Sequence, residues 1–329
     1  MPPRTDSVVV IDVTTKPART AGAASADRER RRATILMLGF RRLAQPFVGR
    51  LADDDLNFVY GRMSALRVPF CNLVYQIGGG PVVDSRVFAV CKALERRIVK
   101  HWIGSDVLRV REPLVHEQNA TGLVEHWAVA AHLVDELAVG GISAITVPLS
   151  IIDTVAPTPL PGPPLTVLSY LPARKFEFYN GATVLSLASR FPDVRFLVVG
   201  DDGAGRGASK NVEFLGYQRQ MDLIYAKSHV LLRLPRHDGL SYMVLEALNH
   251  GRQVIWNLPF ETALMGQTEN EVACHIRELR SALAKGTLSL NTRGRDVVQA
   301  THSGSKVRDL IRTRLKVTLD EARRRGQSS

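Results

Sequence analysis

"HVLLRLPRHDGLSYMVLEALNHGRQVIWN" (residues 229–257) reads as a strand, a loop, a helix and a second strand. The apolar run 229–235 stops at a proline. Ser241 is a good N-cap for the helix that follows, and Gly251 a good stop before the strand at 253–257. Two acids interrupt this otherwise apolar stretch. Asp238 falls in the strand-to-helix loop and Glu246 about one turn into the helix. Both therefore belong to the carboxyl edge of a sheet, where open α/β folds bind ligands. The N–H groups of Gly239, Leu240 and Ser241 meet the positive end of the helix dipole there, an arrangement that suits a phosphate. Glycine at 239 lets a ligand approach the backbone closely. Carboxylates beside a phosphate make sense if they accept hydrogen bonds from hydroxyls, which sugars supply. The competing reading is a buried helix whose Glu246 pairs with Arg252.

The same alternation extends in both directions. Strands are expected at 33–40, 56–60, 71–77, 97–103 and 143–149, and again at 165–171, 194–200, 212–216, 229–235 and 253–257. Helical spacing is read at 85–96, 124–141, 179–191 and 221–228. Between the two series lies "DTVAPTPLPGPP" (153–164), with five prolines from 157 to 164, which is neither helix nor central strand. The fold class is α/β: two Rossmann-like domains with parallel sheets facing across a cleft. The expected division is a disordered basic tail (1–32), a first domain (33–150), a linker (151–164), a second domain (165–290) and a basic C-terminal segment (291–329). Within that last segment, 306–325 is an amphipathic helix whose stripe is Val307, Leu310, Ile311, Leu315, Leu319 and Ala322. Its stripe packs on the body or lies on a membrane surface.

The 329 residues are 45% hydrophobic and 23% charged, an ordinary globular composition with chain enough for two domains. No run reaches the roughly 18 uninterrupted apolar residues of a spanning helix. No stretch near residue 1 reads as a secretory signal, so the chain is expected in the cytoplasm. Cys71, Cys91 and Cys274 lie far apart without a CxxC pattern and read as buried, reduced thiols. The net charge is +11, yet residues 1–32 carry seven basic and four acidic residues and residues 292–329 carry ten and four. The body is therefore nearly neutral. A nucleic-acid enzyme lines its own groove with charge, so nucleic acid is excluded, and the basic ends point instead to an anionic membrane surface.

The stretch from 238 to 251 resembles the signature of the group 1 retaining glycosyltransferases of GT-B fold: an acid, seven residues, a glutamate and a small-residue helix end. The resemblance implies that Glu246 holds the ribose hydroxyls of a nucleoside diphosphate sugar. It implies that Asp238 contacts the sugar, with His237 beside it and the 239–241 amides on the diphosphate. "VLSYLPARKFEFYNG" (167–181) resembles the family's first donor-domain strand and loop, where an arginine and a lysine clamp the diphosphate. The lysine slot is Lys175, while the arginine slot holds Tyr170, leaving Arg174 as the substitute cation. "NVEFLGY" (211–217) resembles the strand whose loop meets the nucleobase, here Gly216 and Tyr217. "KHWIGSDVL" (100–108) resembles the element facing the acceptor, which makes His101 and Asp106 acceptor-side candidates. The implied function is sugar transfer to a saccharide or lipid-linked acceptor in cell-surface glycan synthesis. No metal or other cofactor is expected, because cations and a helix N-terminus stabilise the diphosphate. Rival readings are a nucleotide-sugar epimerase and a non-catalytic binding or scaffold homologue.

Overall fold

A computed structural model describes residues 32–39, 41–61 and 64–325, so the expected disorder at 1–31 lies outside the described residues. The first sheet contains β1 (Ala33–Gly39), β2 (Leu56–Tyr60), β3 (Leu73–Ile77), β4 (Arg97–Trp102), β5 (Val124–Ala128) and β6 (Ala144–Thr146). Its helices are α1 (Arg41–Leu51), α2 (Ser64–Arg67), α3 (Ser85–Ala93), α4 (Pro113–Ala120) and α5 (Ala131–Val139). All its strand pairs are parallel, in the order β2-β1-β3-β4-β5-β6. Parallel strands are covered on both faces, which is why β1 is an apolar run broken only by Thr34. Ile35 and Met37 enter one core, while Leu36 enters the other.

The second sheet contains β7 (Thr166–Tyr170), β8 (Arg195–Val199), β9 (Val212–Phe214), β10 (Val230–Arg233), β11 (Gln253–Trp256) and β12 (Leu264–Met265). Its order is β12-β11-β10-β7-β8-β9, again all parallel. The helices α6 (Gly181–Arg190), α7 (Met221–Ala226), α8 (Tyr242–Asn249), α9 (Glu269–Ala284) and α10 (Thr292–Thr301) flank it. The expected pair of Rossmann-like domains is the observed fold. Winding reverses between β1 and β3 in the first sheet and between β7 and β10 in the second. Crevices open at such reversals.

The decisive stretch folds as read. Ser241 caps α8, its hydroxyl accepting from the Val244 N–H at 3.5 Å. Gly251 ends the helix at φ +73°, donating to the Leu248 carbonyl at 2.8 Å. One expected helix is corrected. Residues 124–128 of the 124–141 run form β5, and only 131–139 are helical. Val124, His126, Trp127 and Ala128 are buried between both layers, and Ala130 is already extended, so a buried strand and a following helix merge into one apolar pattern. Cys274 is exposed on α9, whereas Cys71 and Cys91 are buried as expected.

The C-terminal helix α11 (Gly304–Arg325) crosses back to the first domain. Val307, Ile311, Leu315 and Leu319 are buried in that domain's core, with Leu310 partly buried beside them. Arg312 fixes the crossing by donating to the Leu51 and Ala52 carbonyls at 2.9 Å each. Beside it, Ile152 of the linker donates to the His302 carbonyl (3.1 Å) and accepts from the Gly304 N–H (3.1 Å). From Asp153 to Pro161 the linker is bonded to the second domain. A proline-rich segment has few N–H donors and leaves its carbonyls open. Arg252, fully buried, donates to the Thr158 carbonyl at 2.8 Å and the Pro159 carbonyl at 3.2 Å, and His229 reaches the Pro161 carbonyl at 2.9 Å. Arg252 is therefore not the partner of Glu246. Among the described residues no helix is long and apolar enough to cross a membrane.

Candidate functional site

At the reversal of the second sheet, Leu232 of β10 lies opposite Ser169 of β7, so Arg233 and Tyr170 are the next residues along the two strands. The Arg233 side chain is 8% exposed. Its Nε donates to Oδ2 of Asp238 (2.7 Å), Nη2 lies 2.6 Å from the same oxygen in the ion pair, and the guanidinium lies 5.2 Å from the Tyr179 ring centre. Tyr170 and Tyr179 meet edge to face at 5.3 Å. Burial raises the Tyr170 hydroxyl above its usual range, Tyr179 and Tyr217 add to the rise, and Arg233 opposes it. These groups form one cluster. A guanidinium has five N–H donors, and the hydrogen bond to Asp238 uses one. No other acceptor among the described residues takes any of the rest.

The helix beside this cluster begins with Ser241. Asp238 Oδ1 accepts from the N–H of Gly239 at 3.1 Å, whereas the N–H groups of Leu240 and Ser241 have no partner among the described residues. One turn on, Glu246 is half-buried and its Oε2 accepts from the Tyr225 hydroxyl at 2.7 Å. Burial raises the Glu246 carboxyl above its ordinary value, and the Tyr225 hydrogen bond pulls the other way. Tyr225 in turn stacks on His250, with ring centres 5.1 Å apart.

The first domain faces this loop directly. His132 and Glu136, one turn apart on α5, reach the Asp238 carbonyl (3.1 Å) and His237 Nε2 (2.9 Å) respectively. A Cβ added to Gly239 would lie 2.0 Å from the Ile103 carbonyl oxygen. Glycine at 239 is thus required by the first domain's backbone, not only by any ligand. Leu240 packs against the cores of both domains. Farther along the first sheet's carboxyl edge, at its own reversal, a hollow of about 710 Å³ opens beside Gly39, Gln76, Gly79, Asp84 and Arg86.

No family model matches the sequence. No curated protein is significantly similar to it. Solved structures are similar in fold. Anabaena HepE in complex with UDP superposes with a TM-score of 0.65 at 11% identity, over 87% of this chain and 100% of that one. The lipopolysaccharide outer core galactosyltransferase WaaB, in its apo form, gives 0.61 at 11% identity over 87% and 99%. The pneumococcal O-GlcNAc transferase GtfA, in complex with UDP and GlcNAc, gives 0.54 at 14% identity; this chain covers 56% of its length. These neighbours are GT-B glycosyltransferases.

The fold is GT-B.

Within the GT-B frame, the residues singled out from the sequence separate into groups. Asp238, Gly239, Leu240, Ser241 and Glu246 line one loop and helix start, with His237 turned toward Glu136. Arg174 and Lys175 are exposed on the turn after β7, and Lys175 Nζ lies 5.7 Å from the Phe178 ring centre. Phe178 packs on Tyr179, so Lys175 and Arg233 flank the same aromatic pair. Gly216 turns at φ +62°, and Tyr217 beyond it is 82% exposed.

His101 is not brought into the cleft. It is fully buried, with Nδ1 on the Tyr75 hydroxyl (2.7 Å) and Nε2 on the Val147 carbonyl (2.7 Å). Burial lowers its pKa to about 3, so it is a neutral core histidine. Asp106 is also engaged, accepting from the N–H groups of Ile103 (3.1 Å) and Gly104 (3.0 Å) and from Lys100 (3.3 Å). Lys100, 1% exposed, also donates to the carbonyls of Gly78 (2.9 Å) and Gly80 (2.6 Å). Burial lowers its pKa to about 8 against the pull of Asp106. The loop 78–80 that follows β3 is thus pinned from beneath. Arg233 was the residue the sequence reading passed over. Its signal was a lone arginine at the end of the apolar run 229–235, one residue before the strand exit.

Proposed function

We propose that this chain is a glycosyltransferase that moves a sugar from a nucleoside diphosphate sugar to an acceptor hydroxyl. The reading rests on one observation above all: a carboxylate held in place by Tyr225, a capped helix N-terminus and a half-free guanidinium gather at the winding reversal of the second sheet. Each fits one part of such a donor. Glu246 accepts from the ribose hydroxyls, the Leu240 and Ser241 amides take a phosphate oxygen, and Arg233, Arg174 and Lys175 balance the diphosphate charge. That the neighbours HepE and GtfA were solved with UDP makes uridine diphosphate the first nucleotide to try.

In the transfer, the bond from the anomeric carbon to the diphosphate oxygen breaks as the acceptor oxygen bonds to that carbon. The acceptor proton passes to the departing diphosphate. No side-chain nucleophile is assigned, which suits reaction on one face with retention of configuration. Donors fixed around the diphosphate stabilise the charge that develops on it, the task a metal ion performs elsewhere. The acceptor, a saccharide or a lipid-linked saccharide, enters from the first-domain side. Docking on an anionic membrane would have to use basic residues of the chain's ends, since the stripe of α11 is buried.

The test is calorimetric titration with UDP, GDP, ADP and TDP on wild type and Glu246→Ala. One nucleotide should bind, and the substitution should weaken it at least about a hundredfold, as loss of a buried ligand-binding carboxylate does. Unchanged affinity in Glu246→Ala would remove the ribose contact from this helix. Binding without transfer to any acceptor would favour the non-catalytic homologue.

A further inference from the structure

We propose that Arg233 is the principal cation for the ligand's diphosphate and that Asp238 is its stand-in counter-ion: the arriving diphosphate displaces the carboxylate, which then becomes free for the donor's sugar. The inference rests on the reading under Proposed function and adds to it an exchange between two residues.

Arg233 and Arg252 are the second domain's buried guanidinium groups among the described residues, and they differ in what surrounds them. Arg252 lies at the amino edge of the sheet and faces linker carbonyls. Arg233 lies at the carboxyl edge, on the strand next to Tyr170, with N–H donors that no group among the described residues takes. Its one anionic partner among the described residues is Asp238, and both Nε and Nη2 lie against the single oxygen Oδ2. A guanidinium matches a diphosphate as well as a carboxylate, because both present planar or near-planar oxygen pairs to its fork. The two anions cannot share it closely. A diphosphate placed against Arg233 and the Leu240–Ser241 amides would sit beside the Asp238 carboxylate, and like charges that close repel strongly in a half-buried site. Asp238 is tethered only by Arg233 and by the N–H of its own neighbour Gly239. Rotation of its side chain breaks no hydrogen bond beyond these two. Once turned out, it is an acceptor without a donor, and hydroxyls satisfy it.

The exchange makes a prediction that a simple sugar contact does not. Asp238→Asn removes the competitor while keeping the shape, so UDP and inorganic pyrophosphate should each bind about fivefold or more tightly than to wild type. The sugar-bearing donor should lose its advantage over UDP. Calorimetry with UDP, UDP-glucose and pyrophosphate on wild type, Asp238→Asn and Arg233→Lys reads all three. Arg233→Lys keeps the charge and loses the fork, and it should weaken pyrophosphate about tenfold. Circular dichroism spectra matching wild type would establish that both variants are folded. Should Asp238→Asn fail to fold, Asp238→Ser takes its place with the same expectation. UDP bound by wild type but equally or less tightly by the folded Asp238 variant overturns the exchange and leaves the donor-site reading intact. Pyrophosphate gaining affinity in the variant while no nucleotide binds supports the exchange and overturns that reading. Silence of wild type and variant toward every probe overturns both.

Discussion

The carboxyl edges of the two sheets carry similar residues and use them in opposite ways. In the first domain Lys100, His101 and Asp106 are turned inward, and every contact they make is to the protein itself. In the second, Arg233 keeps N–H donors unengaged and α8 presents the Leu240 and Ser241 amides without partners among the described residues. Polar residues at a sheet edge are thus not equivalent signs of a site. Those whose valences are filled hold loops in shape, and those with valences left over can hold a ligand. The difference predicts that substitutions in the first set change stability and spare nucleotide affinity, while those in the second do the reverse.

The largest effect should come from deleting residues 304–329. Four side chains buried in the first domain's core leave with α11, at about 2 kcal/mol each. Their sum rivals the whole stability of an ordinary domain. Insoluble or unfolded protein is expected, and a folded, nucleotide-binding product by circular dichroism and calorimetry would show that the helix is an appendage. Acid should come next. His101, with its pKa lowered to about 3, and His126 and His302, lowered to about 4, are neutral in the folded chain and have an ordinary value of 6.5. The unfolded chain binds protons first, so their contribution is complete above pH 6.5 and is lost as pH falls from 6.5 toward 4 and then 3. Urea midpoints measured across that window should fall by a few kcal/mol equivalents, and His101→Phe should flatten the slope. A midpoint independent of pH would mean these rings are not buried neutral. The smallest effect sharpens the second edge. Tyr225→Phe leaves Glu246 without its hydrogen bond and should weaken UDP about tenfold with little change in melting temperature. No change in affinity would detach Glu246 from the nucleotide.

Much of the architecture was legible because it depends on local chemistry. Apolar runs, Ser241, Gly251 and the proline cluster are each read from a few neighbouring residues. The strand at 124–128 was missed because a doubly buried strand has no alternation, and the helix after it continues the same apolar character. The site was legible in part for a different reason. Glu246 and Asp238 stood out as acids in an apolar stretch, but their partners are Tyr225, 21 positions away, and Arg233, whose place beside Tyr170 depends on strand order. Strand order is set by which crossovers pack, and no spacing encodes it. His101 misled for the converse reason: a histidine at a strand end looks the same in sequence whether its ring faces a cleft or a core.

The paired segments Ile152 and His302–Gly304 carry a mechanical consequence. The two domains are joined by two covalent connections, and the backbone hydrogen bonds of Ile152 hold them side by side. Two strands fastened along one short line behave as a hinge pin: they resist shear and separation but allow rotation about that line. The His132, Glu136 and Gly104 contacts join the two domains at the loop 237–241, and Tyr242, the next residue, bonds back to Ile151 beside that line.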